Sequence, residues 1–362
     1  MHEYAAAVAR FFVVGLSGPR LNEHEMALLE AYPPSGVIFF ERNVEDLDQL
    51  SKLAGDVTSI IFGAGRGGMK PIISADHEGG RISVLFNALG VPPSQMALAR
   101  CGDLNLCRSV YSRTAEMLIS VGVNTLLAPV ADVNSERFNP VIGTRSFGAK
   151  SDEVVPFVTE SVEALKETGV EPCLKHFPGH GASLSDSHVA LPRISKSMDE
   201  MMGSDLLCFR KGFDAGADMV MVGHLLTEGF ERPASLSEDF VEEVLRRRLS
   251  FEGLAITDAL EMQGAVPRDA PNANAFDVMD PHSTDLFCSQ LELALRADDL
   301  LLYASPIERV YAQLERCFEA FPERMRRLAR FAAYGNVDSI ERIERFRGRL
   351  DGGHKITKHG AG

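Results

Sequence analysis

Short apolar runs of strand length and β-branched content recur along the chain at wide, regular spacing, over 11–16, 36–40, 71–76, 124–130, 171–176, 218–224, 254–258 and 299–303. Between them lie segments of helical period. Val154, Val155, Val158, Val162 and Leu165 mark one helical face. Phe240, Val241, Val244, Leu245 and Leu249 mark a second, and Ile307, Val310, Leu314 and Phe318 a third. Apolar strands alternating with amphipathic helices predict parallel pairing through right-handed crossovers. Eight such repeats predict an α/β fold, a single closed (β/α)8 barrel of the TIM type; a doubly wound open sheet is the alternative.

No glycine- or proline-rich linker divides the chain. Its longest structureless stretch, 266–284, follows the seventh run, and a loop of that length reads as a functional lid or as a disordered insertion. After Gly335 comes one polar stretch of helical pattern and then a glycine-containing end that reads as frayed. The expected organisation is one barrel over 1–335 and a polar tail over 336–362.

The 362 residues are 45% hydrophobic and 24% charged, enough apolar material for one large core. With 37 basic and 51 acidic residues the formal charge is −14, which argues against nucleic acid or an anionic membrane surface as a partner. Met-His-Glu-Tyr at the start carries no positive segment, and Phe11-Phe12-Val13-Val14 is too short for a signal peptide or a membrane span. A cytoplasmic, monomeric protein is therefore expected. Six cysteines without a Cys-x-x-Cys pair read as reduced core thiols rather than disulfides or a zinc site.

The candidate chemistry sits at the strand ends. The third run finishes at Asp76, the fourth leads to Asp132, the fifth ends in Lys175-His176, the sixth in His224 and the seventh in Asp258. In a barrel these ends converge on one face, where active sites are built. Any one of them alone reads as a capped loop residue. Five such ends converging, with their ionisable groups desolvated together, call for a site. The fifth loop, 175–188, holds two glycines and a proline, so its backbone can approach a ligand closely. Within it Asp186-Ser187-His188 sets a carboxylate beside an imidazole, an arrangement that fixes the tautomer, raises the imidazole pKa and suits proton donation to a leaving group. His176, His180 and His188 also admit a metal reading, against which Phe177-Pro178-Gly179 forbids the helix that would align the first two. Asp258, with no cation adjacent in sequence, reads either as a carboxylate nucleophile or as the cap of the next helix.

Taken together these segments resemble family 3 glycoside hydrolases, in particular the single-domain β-N-acetylhexosaminidase branch of bacterial cell-wall recycling. The resemblance is carried by Lys175-His176-Phe177-Pro178-Gly179-His180-Gly181 followed by Asp186-Ser187-His188, and by Asp76-His77-Glu78-Gly79-Gly80-Arg81. Ala128-Pro129-Val130-Ala131-Asp132-Val133, Ile142-Gly143-Thr144-Arg145-Ser146-Phe147, Val222-Gly223-His224, Pro233-Ala234-Ser235-Leu236-Ser237 and Thr257-Asp258-Ala259-Leu260-Glu261-Met262 extend it. It implies a retaining double displacement in the cytoplasm, without metal or organic cofactor, that releases non-reducing terminal N-acetylglucosamine from β-linked glycans such as peptidoglycan fragments. By the same resemblance Asp258 is the nucleophile, and His188, supported by Asp186, is the acid/base. Asp76, Arg145, Lys175 and His176 then hold the sugar hydroxyls and the N-acetyl group.

Two departures stand out. Val84 occupies a position where the branch often carries a substrate-gripping arginine, so one contact is missing or comes from elsewhere. The 266–284 segment is unlike the family's short link into the next helix. A phosphorylase on the same scaffold, a metal-dependent barrel hydrolase using the histidines and a non-catalytic sugar binder are the rival readings.

Overall fold

The computed structural model describes residues 3–64, 69–187, 190–266, 275–276 and 282–351. Eight strands, β1 Phe12–Gly15, β2 Gly36–Phe39, β3 Ile72–Ala75, β4 Thr125–Leu126, β5 Glu171–Phe177, β6 Met219–Val222, β7 Leu254–Thr257 and β8 Leu301–Pro306, form one sheet in the order β7-β6-β5-β4-β3-β2-β1-β8. Every pairing in it is parallel. The ends of that order meet: Ile256 bridges Leu300, and Thr257 N–H donates to the Leu300 carbonyl at 3.0 Å. The sheet is thus a barrel, and the open-sheet alternative is set aside.

The strands read as unbroken apolar runs because both faces are covered, one by the barrel interior and one by helices. All four residues of β1, β2, β3, β6 and β7 are buried. β4 is shorter than the expected 124–130. After Leu126 the chain turns, with Ala128 N–H donating to the Leu126 carbonyl, and Pro129 has no N–H for the ladder. Pairing resumes at Val130, opposite Lys175.

The helix Ser151–Thr168 buries Val154, Phe157, Val158, Val162 and Leu165 while Val155 is half-exposed, so its apolar stripe is turned slightly from the expected one. Gly169 ends it in the left-handed conformation, φ 97°, with its N–H on the Leu165 carbonyl. Ile307–Ala320 buries Ile307, Val310 and Leu314 and leaves Phe318 half-buried. The polar stretch after Gly335 forms a helix, Val337–Asp351, that lies against the strand N-termini. There Asp299, just before β8, accepts from Arg246 at 2.6 Å, Ser339 at 2.7 Å and Arg342 at 2.8 Å. The six cysteines are unpaired thiols, five of them buried. Among the described residues no helix is long and apolar enough to cross a membrane.

Candidate active site

The C-terminal strand ends surround a cavity of about 420 Å³. Asp76 and Glu78 beyond β3, Arg145 from the loop after β4, Lys175 and His176 on β5 and Asp258 after β7 all line it. Five of these six, all but Glu78, are site residues expected from the sequence. The structure brings those five together from strands far apart in the chain.

Lys175 is the hub of the polar wall. Its ammonium, with 2% of the side chain exposed, pairs with Asp76 and, at 2.6 Å, with Glu78. Arg145 grips the same Glu78 with two hydrogen bonds of 2.8 Å, through Nε and Nη2. Burial alone would raise the Glu78 pKa, but Lys175 and Arg145 hold it far below the carboxylate range. Burial likewise opposes the charge on Lys175, and Asp76 and Glu78 raise its pKa regardless. Two cations against two carboxylates leave the wall charged yet balanced, able both to donate to and to accept from a polyol. Glu78 was not among the expected site residues; its signal was its place two positions after Asp76, beyond a strand end.

His176 is fixed from both sides. Arg145 Nη2, which can only donate, lies 3.0 Å from His176 Nε2, so Nδ1 carries the proton and donates to Asp132 at 2.7 Å. Asp132 is fully buried and also accepts from the His176 and His180 backbone N–H groups, at 3.1 and 2.6 Å. Burial works against its charge, but the two histidines and these hydrogen bonds lower its pKa. Asp132 is therefore a foundation under His176 and the fifth loop rather than a wall of the cavity. His224, another expected rim residue, also turns away. Its Nε2 donates to the Ala259 carbonyl at 2.9 Å and its Nδ1 meets Ser235 Oγ at 2.6 Å, so it steadies the turn that follows Asp258.

The fifth loop is pinned along its length. Gly181 lies against the backbone leaving β4, where a Cβ would stand 2.0 Å from the Val133 carbonyl oxygen, so only glycine fits. Asn139 Nδ2 donates to the His180 and Ser183 carbonyls at 2.9 and 3.0 Å. The His180 ring is held between Ser183 Oγ at 2.9 Å and Ser187 Oγ at 3.1 Å. Asp186 is half-buried in this loop, and its carbonyl accepts from Ala190 N–H. His188 lies outside the described residues, as does most of 266–284. Phe276 from that segment packs on Phe287 and Tyr303, with centroids 5.5 and 5.9 Å apart. Among the described residues no group of three or more His, Cys, Asp or Glu is arranged to hold a metal ion.

Asp258 lines the same cavity from the end of β7, tied to β6 by its own N–H on the Val222 carbonyl. Its Oδ1 accepts from Ala259 N–H at 2.8 Å. Burial would raise its pKa, but His176, His224, the Ala259 N–H and Lys175 together lower it. A fixed, ionised carboxylate thus lines a cavity whose polar groups can hold hydroxyl groups.

A barrel with its polar groups in this arrangement is that of a glycoside hydrolase, and comparison with known proteins agrees. Residues 6–279 match the glycosyl hydrolase family 3 N-terminal domain. A β-hexosaminidase from Tolumonas auensis is 33% identical over 258 residues, covering 70% of this chain and 75% of that one. One from Chromobacterium violaceum is 29% identical over 345 residues, covering 91% and 89%. Among solved structures, a family 3 β-N-acetylglucosaminidase from a Paenibacillus species superposes with a TM-score of 0.80 at 28% identity. The match covers 97% of this chain and 63% of the length of that protein. The chain belongs to glycosyl hydrolase family 3.

Proposed function

We propose that this glycoside hydrolase is a retaining β-N-acetylglucosaminidase. On this reading Asp258 attacks the anomeric carbon and forms a glycosyl-enzyme while the leaving-group oxygen takes a proton from His188, supported by Asp186. Water then attacks the same carbon, giving its proton to His188 and releasing Asp258, so that two inversions give net retention. Asp76, Lys175, Arg145 and His176 hold the sugar. The observation that carries the reading is Asp258 itself, half-buried, ionised and lining the same cavity as the Lys175 cluster. The relatives' names favour an N-acetylhexosamine as the sugar, and peptidoglycan fragments are the natural substrate class we assign.

The test is hydrolysis of an aryl N-acetyl-β-glucosaminide and of a disaccharide with a poor leaving group, with and without inorganic phosphate. The wild type should release free N-acetylglucosamine at a phosphate-independent rate. His188→Ala should lose at least about tenfold more on the disaccharide than on the aryl glycoside, because a good leaving group needs little protonation. Formation of a sugar phosphate would contradict hydrolysis, and equal loss on both substrates would contradict the acid role.

A further inference from the structure

The end of β2 brings a different kind of group to the cavity. Side chains alternate along a strand, so Ile38 and Phe40 share one face and Val37 and Phe39 the other. Ile38 and Phe40 line the cavity that holds Asp258 and the Lys175 cluster, while Val37 and Phe39 are fully buried. Phe40 is half-buried, and among the described residues it is the one phenyl or phenol ring in that lining.

The ring is held from one side. The Arg42 guanidinium stands over it, 4.5 Å from the ring centroid. That guanidinium is itself fixed, with Nε donating to the Leu16 carbonyl at 2.8 Å and Nη2 to the Ala304 carbonyl at 2.6 Å. The backbone is pinned as well: Phe40 N–H donates to Asn43 Oδ1 at 2.9 Å, and Asn43 Nδ2 donates to the Gly18 carbonyl at 2.9 Å. With the cation on one face, a ring that still lines the cavity has its other face left for a ligand.

A pyranose with equatorial substituents carries its hydroxyls around the edge and C–H bonds on its two faces. Charged groups such as Asp76, Lys175 and Arg145 suit the edge and offer nothing to a face. An aromatic ring does, because its electron-rich face attracts the weakly positive C–H hydrogens and is apolar as they are. We infer that Phe40 stacks its open face on a C–H face of the sugar that Asp258 attacks. This rests on the glycosidase reading above and assigns that sugar an apolar contact which the hydroxyl-binding residues do not supply.

The experiment reads the proton NMR spectrum of N-acetylglucosamine bound to the protein, beside steady-state rates on the β-linked disaccharide of N-acetylglucosamine, which brings no aromatic ring of its own. In wild type the protons on one face of the sugar should move upfield on binding, the mark of a proton lying over an aromatic ring. Phe40→Leu should lose that shift, and Phe40→Tyr, which keeps the ring, should retain it. Stacking holds the sugar alike before and during reaction, so Phe40→Leu should raise KM by about threefold to tenfold with kcat nearly unchanged. Binding without an upfield shift in wild type would overturn the inference, and that result depends on no variant folding. A shift that Phe40→Leu leaves in place, or a fall in kcat at unchanged KM, would overturn it too. Cleavage is a separate readout: a wild type that binds the sugar with the shift but never cleaves the disaccharide would sink the glycosidase reading and uphold the Phe40 contact. Neither binding nor cleavage would sink both.

Discussion

Half-buried Asp258 keeps its charge because its neighbours favour the anion over the neutral acid. Burial raises its pKa, and the imidazoles of His176 and His224, the Ala259 N–H and the Lys175 ammonium lower it by more. A nucleophile must be ionised to attack, so this balance suits the role proposed for Asp258. Asp258→Asn preserves the shape and removes the attack; kcat should fall by about 10³-fold or more with the unfolding midpoint nearly unchanged. Steady-state rates on an aryl glycoside check this, and more than about a tenth of wild-type turnover would remove Asp258 from the role.

Among the structural elements, the small ribbon after β3, His77–Gly79 paired with Ile82–Ser83, carries Glu78 into the site. Its first residue, His77, is 2% exposed, and its Nδ1 has no partner among the described residues. Burial pushes the His77 pKa down to about 4. In the unfolded chain it titrates near about 6.5, so between those values the unfolded state binds more protons. Stability should therefore rise with pH across that window, and be lost as pH falls from about 6.5 toward 4. His180, lowered by burial and by His176, adds to the same limb. Urea unfolding at steps from pH 7 to pH 4.5 should show a shallower loss for His77→Gln than for wild type, whatever the variant's stability at pH 7 (points set roughly by this window). Parallel curves would show that His77 is not held neutral by the fold.

These elements also show what a sequence can and cannot display. The strands were legible because burial on both faces makes them continuously apolar, and their polar ends marked the rim. Which way an end residue points was not legible. Asp76 and Asp258 enter the cavity, whereas Asp132 goes beneath it and His224 behind it, a choice made by strand twist and the loops that follow. Glu78 was hidden for a different reason. A buried glutamate makes sense only once Arg145, 67 residues downstream, and Lys175 arrive beside it.

At the scale of the whole molecule, the two ends of the barrel divide the work. The strand N-termini are closed by the helix Val337–Asp351 and by Asp299 with its three side-chain donors, a network that stiffens the base. The strand C-termini carry the cavity, its groups held at fixed separations by β3, β5 and β7. Rigid placement of this kind is what the proposed covalent intermediate would require, because the carboxylate must meet the anomeric carbon while the cavity's polar groups hold the sugar. The most direct measurement is peptide mass mapping of His188→Ala enzyme quenched during turnover of an aryl N-acetyl-β-glucosaminide, where slow deglycosylation should let the intermediate accumulate. The account predicts one N-acetylhexosaminyl residue attached to the peptide containing Asp258, at Asp258 itself. An adduct on any other residue, or burst kinetics with no adduct, would contradict it.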